Sequence, residues 1–292
     1  NFLRNPDKYS DFNTGIAVYH DDIGDYATNE PTMDGTAGLT YYFAAKENEG
    51  IVAGSNSVEM VKDAYGATIR INPKAKVIYL VFTADSMFQG GEKILKTLDK
   101  ERIKGSFFLT GNCFRIPEHE QLIKNIIKVG HYIGGHSDGH LLYAPWGASR
   151  DSSYYTPVQI VEDVRKNMAE LNKFGVGSDD ARWFLPPYEH YNKLSVKALE
   201  SAGLKVVNYT PGIATPADYT IPSMSSYQPT QKLIDKLYEF ETTQTLNGAI
   251  LLIHPGVQDE RTDKLYNRLG EVIQYLKKKG YTFKSLKEVN AN

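Results

Sequence analysis

The sequence predicts an α/β protein, namely an incomplete (β/α) barrel of seven strands that follows an N-terminal, partly β extension. From about Pro73 onward, apolar runs of strand length alternate with amphipathic stretches of helix length, which is typical of parallel strands joined by helices. Before that point, Gly, Asn, Asp and Thr are scattered among short apolar runs without such alternation. We therefore expect two parts, an N-terminal segment at 1–72 and a barrel at 73–292. A doubly wound open sheet is the alternative fold, because one sequence does not reveal the order of its strands.

Seven strands are predicted from short apolar runs that are bounded by turn residues. They lie at 77–83, 106–110, 131–135, 183–185, 205–209, 249–254 and 281–283. Six helices are predicted between them, several from apolar residues spaced i, i+3, i+4. They lie at 91–100, 119–129, 157–174, 193–202, 231–243 and 263–279.

The composition argues against several classes of function. With 33 basic and 35 acidic side chains, the formal net charge is -2, which gives no field that would hold nucleic acid or an anionic lipid surface. The apolar runs are far shorter than the roughly 20 residues that cross a bilayer, so no membrane span is expected. Neither a G-x-S-x-G motif nor a Gly-rich phosphate loop is present, which disfavours serine hydrolase and nucleotide chemistry. The lone Cys113 excludes an internal disulfide and is expected to be a packed thiol.

Two histidines four positions apart, His136 and His140, are the strongest chemical signal in the chain. Imidazoles at this spacing can face one point and bind one divalent cation. Asp85, just after the first predicted strand, offers a third ligand. Two histidines and a carboxylate leave a coordination position open, as hydrolytic metal sites require. The sequence therefore predicts a catalytic metal site.

The candidate residues all fall where predicted strands end. Asp85 follows the first strand, His136 and His140 follow the third, the segment 186–189 follows the fourth, and His254 ends the sixth. Working residues of parallel barrels and sheets cluster at this carboxyl edge. We therefore expect these side chains to meet at one rim.

The motifs around these residues resemble the ordered motif set of the polysaccharide deacetylase (NodB-homology) family. The resemblance covers about residues 75–288 and depends on Phe82-Thr83-Ala84-Asp85, His136-Ser137-Asp138-Gly139-His140, Pro186-Pro187-Tyr188 and Leu252-Ile253-His254. At the family's distance from the aspartate, Gly105-Ser106-Phe107-Phe108 is similar to its Ala-Thr-Phe-Phe strand.

The resemblance implies a distorted barrel that removes acetyl groups from sugar polymers with a divalent metal, commonly zinc. It implies that Asp85, His136 and His140 are the metal ligands and that His254 protonates the leaving group. An acetylated glycan is the expected substrate. The family's usual substrates imply a periplasmic, cell-envelope or extracellular location.

Two departures from the family pattern concern the general base. The family carries an acidic residue just before the metal-binding aspartate, where this chain has Thr83 and Ala84. It also carries an arginine before Pro-Pro-Tyr, which pairs with that acid, and this chain has Leu185 there. Losing both members of a buried ion pair costs far less than losing one, so the joint loss suggests a rebuilt site. Arg182, three residues upstream, is an alternative source of the missing cation.

A rebuilt base must be a carboxylate or an imidazole near the reacting water. Glu189 is the first candidate, because it follows Tyr188 at a position where the family usually has Gly. Asp138 is the second candidate, or else it orients one of the two histidines. Asp218 corresponds to the aspartate that polarises the family's catalytic histidine, here His254.

Three residues are predicted to contact the substrate. Leu252 is expected to form the floor of a small acetyl pocket. The aromatic faces of Trp146 and Tyr188 are expected to stack on sugar rings, and the backbone N–H of Tyr188 is expected to stabilise the oxyanion.

The leading hypothesis is thus a metal-dependent hydrolase that removes N- or O-acetyl groups from an acetylated carbohydrate. One alternative is a catalytically impaired pseudoenzyme that binds metal and glycan but lacks the usual base. Another is a barrel hydrolase that uses the same ligands on a non-sugar amide.

Overall fold

The computed structural model describes residues 58–147 and 149–289, and within them nine strands belong to one sheet. The strands are β1 Met60–Lys62, β2 Thr68–Ile71, β3 Val77–Ala84, β4 Ser106–Leu109, β5 Tyr132–Gly135, β6 Trp183–Phe184, β7 Lys205–Val206, β8 Ala249–Ile253 and β9 Thr282–Lys284. The α-helices in the same residues are α1 Gly91–Lys100, α2 Gly111–Phe114, α3 Glu120–Lys128, α4 Pro157–Lys173, α5 Lys193–Ser201, α6 Thr230–Gln244 and α7 Leu269–Lys278.

The strand order is that of a curled, distorted (β/α) barrel, as the sequence predicts. The sheet runs β1-β2-β8-β3-β4-β5-β6-β7, and β9 pairs with the start of β3. From β8 through β7 every pairing is parallel, which places the carboxyl ends of these strands at one rim. All seven predicted strands are confirmed. β7 ends three residues earlier than predicted, and β4, β6 and β8 each end one residue earlier; after β6 the reason is that Pro186 and Pro187 have no N–H to donate to the sheet.

The two strands β1 and β2 lie in the segment that the sequence analysis assigned to the N-terminal extension. They form an antiparallel hairpin, and Arg70 of β2 pairs with Ala249 of β8. On its other side, Thr68 forms a bridge with Val207, just after β7. The hairpin thus fills the gap between β8 and β7, the two outermost strands of the parallel series. The rest of the predicted extension, residues 1–57, lies outside the described residues.

The side chain of Thr210 joins the two ends of the sheet. Its hydroxyl donates to the carbonyl of Ile69 at 2.6 Å and accepts from the N–H of Ile250 at 3.0 Å. One hydroxyl therefore connects β2, β8 and the segment after β7.

The sheet has an inner and an outer apolar layer because strand side chains alternate. On β3, Tyr79 and Val81 pack inside the barrel, whereas Leu80 and Phe82 pack against the surrounding helices. The inner series continues through Thr83 at the rim of the barrel, and Asp85 follows just beyond the strand. The sheet register therefore brings Asp85 to the functional face.

The predicted helices are confirmed with small changes at their ends. The last one, predicted at 263–279, begins as a 3₁₀ turn at Leu265–Arg268 before α7. The short α2 was not predicted, because four residues carry no helical periodicity. Of the helices in residues 58–147 and 149–289, none combines the length and apolar character that a bilayer crossing requires.

Candidate active site

A cavity of about 330 Å³ lies at the carboxyl ends of the parallel strands. Seven of the eight predicted site residues line it, together with residues that the sequence analysis did not single out. The predicted ones are Asp85, His136, His140, Trp146, Tyr188, Glu189 and His254. The eighth, Leu252, is fully buried in the apolar interior of the barrel and is not among the lining residues, so its role as an acetyl-pocket floor stays a prediction.

The Asp85 carboxylate is held by two residues that follow β4. Its Oδ1 atom accepts a hydrogen bond from the hydroxyl of Thr110 at 2.8 Å and another from the amide of Asn112 at 3.1 Å. Both bonds fall on the same oxygen, which leaves Oδ2 for a ligand. Sequence reasoning missed Thr110 and Asn112, although their position directly after a strand was a usable signal.

His136 is oriented by a backbone carbonyl. Its Nδ1 lies 2.6 Å from the carbonyl oxygen of Leu185, and because that oxygen only accepts, Nδ1 carries the proton. The other ring nitrogen, Nε2, is then unprotonated and has a lone pair for a metal. Burial lowers the pKa of His136 well below its usual value, and the neighbouring His140 lowers it further.

His140 lines the same cavity as His136. Its ring centroid lies 5.1 Å from that of His136 and 4.3 Å from that of Tyr188. Its backbone has a φ of 55°, in the left-handed region that non-glycine residues rarely adopt. Burial also lowers the pKa of His140, against the opposing effect of Asp85. Both imidazoles are therefore neutral near pH 7, the form that binds metals.

The donor set fits a divalent metal by its chemistry. Two neutral imidazoles and one free carboxylate oxygen suit zinc and its first-row neighbours. The hydroxyl of Thr83, buried in the same cavity wall, has no hydrogen-bond partner among the described residues and offers a polar contact to a bound water. Among the residues that the structure describes, however, no three side chains of His, Cys, Asp or Glu are arranged as a group that could hold a metal ion. The ligand assignment therefore stays a prediction.

Glu189 occupies a strained position at the cavity edge. Tyr188 and Glu189 are both left-handed, with φ of 57° and 52°. This conformation suits the glycine that the related family usually has at position 189, whereas for other residues it costs about 1 kcal/mol or more. Burial raises the pKa of Glu189 to about 7, while His254 opposes the rise and Asp218 adds to it.

His254 is paired with Asp218, as the resemblance to the polysaccharide deacetylase family implied. Nδ1 of His254 lies 2.6 Å from Oδ1 of Asp218, and the backbone N–H of His254 donates to Oδ2 at 3.0 Å. The aspartate is 1% exposed. Burial alone would lower the pKa of His254, but Asp218, with a smaller contribution from Glu189, raises it. The imidazole is thereby held in one orientation and favoured in its protonated, proton-donating form.

The family's acid and arginine have no substitutes at their own positions. Leu185 is fully buried in the barrel interior, and Arg182 is an exposed side chain that pairs with Asp179 at 2.7 Å. The alternative that Arg182 replaces the arginine is therefore wrong. Asp138 forms an ion pair with Arg115 at 2.6 Å and does not line the cavity, which leaves Glu189 as the carboxylate beside the candidate ligands that could serve as a base.

Aromatic side chains form the exposed mouth of the cavity. The indole of Trp146 packs 4.3 Å from the ring of His190 and meets the edge of Tyr188 at 6.0 Å, and Tyr219 packs edge-on against His254 at 5.5 Å. The exposed fractions are 62% for Trp146, 45% for Tyr188 and 50% for Tyr219. Such flat apolar faces at an open cavity suit sugar rings. The sequence analysis did not single out Tyr219.

Comparisons with known proteins agree with this fold. The family model for polysaccharide deacetylase matches residues 70–207. The chain is 30% identical over 229 residues to the peptidoglycan-N-acetylmuramic acid deacetylase PdaA of Bacillus subtilis, which covers 78% of this chain and 76% of that protein. The solved structure of B. subtilis PdaA, a family 4 carbohydrate esterase, superposes with a TM-score of 0.59 and 27% identity, over 77% of this chain and 85% of that one.

The chain belongs to the polysaccharide deacetylase family, which is carbohydrate esterase family 4. The resemblance inferred from the motifs is thereby confirmed. A further solved structure, the wild-type BA3943 pseudoenzyme of this family from Bacillus anthracis, matches with a TM-score of 0.60 and 19% identity, over 78% of this chain and 69% of that one. At this identity the match supports the fold alone.

Proposed function

We propose that this protein is a metal-dependent hydrolase that removes acetyl groups from an acetylated glycan. The observation that carries the proposal is the convergence of Asp85, His136, His140, Glu189 and His254 on one cavity. These residues come from the ends of four different strands, so no local sequence constraint forces them together. Family membership makes acetyl removal the reaction to expect.

Asp85, His136 and His140 are the proposed ligands of the divalent metal, with zinc as the expected ion. A cation at this position would lower the pKa of a water molecule and polarise the acetyl carbonyl. Neighbouring residues fix the orientation and tautomer of these ligands. Thr110 and Asn112 fix the carboxylate, and the carbonyl of Leu185 fixes the tautomer of His136.

Glu189 is the proposed general base in place of the family's missing acid. A base works best when its pKa lies near the operating pH, and burial brings the pKa of Glu189 to about 7. Its carboxylate would take the proton of the attacking water as the new C–O bond forms. The backbone N–H of Tyr188 is proposed to stabilise the resulting oxyanion.

His254 is the proposed general acid. It would donate its proton to the departing amine nitrogen or alcohol oxygen as the acetyl bond breaks, which releases acetate. Asp218 holds the ring through Nδ1, so that Nε2 is the nitrogen directed to the leaving group.

The proposed substrate is a cell-wall glycan, handled at the cell envelope or outside the cell. Support comes from the relative PdaA, whose name states that it acts on peptidoglycan. The rings of Trp146 and Tyr188 would stack on sugars next to the acetylated one. Leu252 would form the floor under the acetyl methyl group.

The direct test is acetate release from a panel of N-acetylated and O-acetylated glycans, with zinc and after chelation. We expect release that chelation abolishes and zinc restores. His136→Ala should abolish both zinc binding and turnover, whereas His119→Ala, a histidine that does not line the cavity, should preserve them. Full zinc retention by His136→Ala would refute the ligand assignment. Turnover of simple amides but of no glycan would favour the non-sugar amidase.

A second candidate function is a pseudoenzyme that binds metal and glycan without turnover. The observation in its favour is that Thr83 and Ala84 stand where the family carries its acid. It predicts glycan and zinc binding, measured by calorimetry, with no acetate from any substrate in the panel. Any zinc-dependent turnover that Glu189→Gln abolishes would exclude it.

A further inference from the structure

The backbone of Glu189, which follows β6, is held by a side chain that follows the neighbouring strand β7. Asn208, just after β7, donates from its amide nitrogen to the carbonyl oxygen of Glu189 at 3.3 Å and to the hydroxyl of Tyr191 at 2.9 Å. Its amide oxygen accepts from the N–H of Tyr209 at 2.8 Å. Because only an oxygen can accept that bond, the amide cannot be turned around, and its nitrogen must face Glu189.

The hydroxyl of Tyr191 continues the chain of hydrogen bonds. It accepts from Asn208 and donates to Oδ2 of Asp63 at 2.6 Å, which is short, as expected for a bond to a charged carboxylate. Tyr191 is fully buried and Asn208 is nearly so. An acceptor as strong as Asp63 polarises the hydroxyl, which makes its oxygen a better partner for Asn208.

Asp63 is itself fixed by the turn between β1 and β2. Its Oδ1 atom accepts from three successive backbone N–H groups, those of Tyr65, Gly66 and Ala67, at 2.8–3.0 Å. The turn therefore holds one carboxylate oxygen and points the other at Tyr191. Asp63 precedes residue 70, where the match to the family model begins, so this anchor comes from the hairpin that fills the barrel gap.

We propose that Asp63, Tyr191 and Asn208 are positioning residues that hold Glu189 in its left-handed conformation and so direct its carboxylate into the cavity. A glutamate cannot occupy this conformation as freely as glycine, so it requires contacts from outside its own loop. The chain of hydrogen bonds supplies one at the carbonyl of Glu189. The proposal deepens, and depends on, the assignment of Glu189 as the base.

Tyr191→Phe is the central test, because it removes the hydroxyl and keeps the ring packed. We expect kcat to fall about tenfold, which corresponds to about 1.4 kcal/mol, while KM and zinc affinity change less than twofold. In the Glu189→Gln background the same substitution should cause no further loss, because the residue it positions is already inactive. Tyr143→Phe is the matched control, since Tyr143 is fully buried in the same apolar cluster but outside this chain of bonds.

Two further measurements keep the proposal testable if Tyr191→Phe folds poorly or if turnover is absent. Asn208→Asp keeps the side-chain shape and the acceptor for Tyr209, but it removes both donors and should reproduce the loss of kcat. A crystal structure of either variant should show Glu189 outside the left-handed region. The proposal is overturned by an unchanged kcat with unchanged Glu189 backbone, or by an equal loss in the Glu189→Gln background. Full activity of Glu189→Gln alone would instead overturn the base assignment, so the two failures are distinguishable.

Discussion

Replacing Glu189 by glutamine should make the metal-free protein more stable while it removes catalysis. The wild-type carboxyl has a pKa of about 7 in the fold against 4.5 when unburied, because burial disfavours its charge. Above pH 7 the folded protein must therefore hold an ionised group that the unfolded chain solvates freely. The difference corresponds to about 3 kcal/mol at most. Because the residue borders an open cavity and is partly exposed, we expect about 1–3 kcal/mol.

The sign of this effect depends on pH in a defined way. Below pH 4.5 the carboxyl is protonated in both states, so glutamine should bring no gain. The gain should develop between pH 4.5 and 7, as the unfolded state loses its proton first, and remain constant above pH 8. Saturating zinc should reduce the gain, because a nearby cation stabilises the carboxylate.

Chemical unfolding in urea at pH 4, 6 and 8, with chelator present, measures this profile. Glu239→Gln is the control, since Glu239 is exposed on α6 and does not line the cavity. Acetate release by Glu189→Gln should fall about 100-fold or more, as expected for loss of a general base. A variant that is less stable than wild type at pH 8, or equally stabilised at pH 4 and 8, would refute the reasoning.

Three further predictions concern other residues. Asp218→Asn should lower the pKa of His254 and reduce kcat about 10- to 100-fold, as a charge-assisted hydrogen bond is lost; an unchanged pH–rate profile would contradict the pairing. Trp146→Ala should raise KM for glycan oligomers several-fold and leave kcat and unfolding unchanged, which kinetics on short and long oligomers would check. His131 is buried and accepts from Gly105, and burial lowers its pKa to about 4. Wild type should therefore lose up to about 3 kcal/mol relative to His131→Gln as pH falls from 6.5 to 4, and parallel stability curves would refute this.

The central barrel strands β3 and β8 were predictable because each contains a continuous apolar run. Buried parallel strands such as β3 and β8 carry apolar side chains on both faces, so their positions are visible in the sequence alone. The hairpin of β1 and β2 was not assigned to the barrel. Its strands are only three and four residues long, and their place depends on contacts with Val207 and Ala249, which lie more than a hundred residues away.

The candidate ligands were predictable for a related reason. His136 and His140 are close in sequence, and Asp85 follows an evident strand, so strand-end position was enough to group them. The contacts that orient these groups were not predictable. The carbonyl of Leu185 and the carboxylate of Asp63 act through tertiary contacts, and a backbone carbonyl leaves no signal in residue type.

The buried hydroxyl of Thr83 provides a test of whether the cavity is used for catalysis. It lines the cavity without a hydrogen-bond partner among the described residues, and an orphaned buried hydroxyl costs about 1–3 kcal/mol relative to an apolar group of the same shape. Thr83→Val should therefore stabilise the protein by about 1 kcal/mol in urea unfolding, with Thr83→Ser as the variant that keeps the hydroxyl. If the hydroxyl contacts the reacting water, the valine variant should also lose activity and the serine variant should retain it. Destabilisation by valine would show that the hydroxyl is already satisfied in the folded protein, and stabilisation without loss of activity would show that the cavity does not use it.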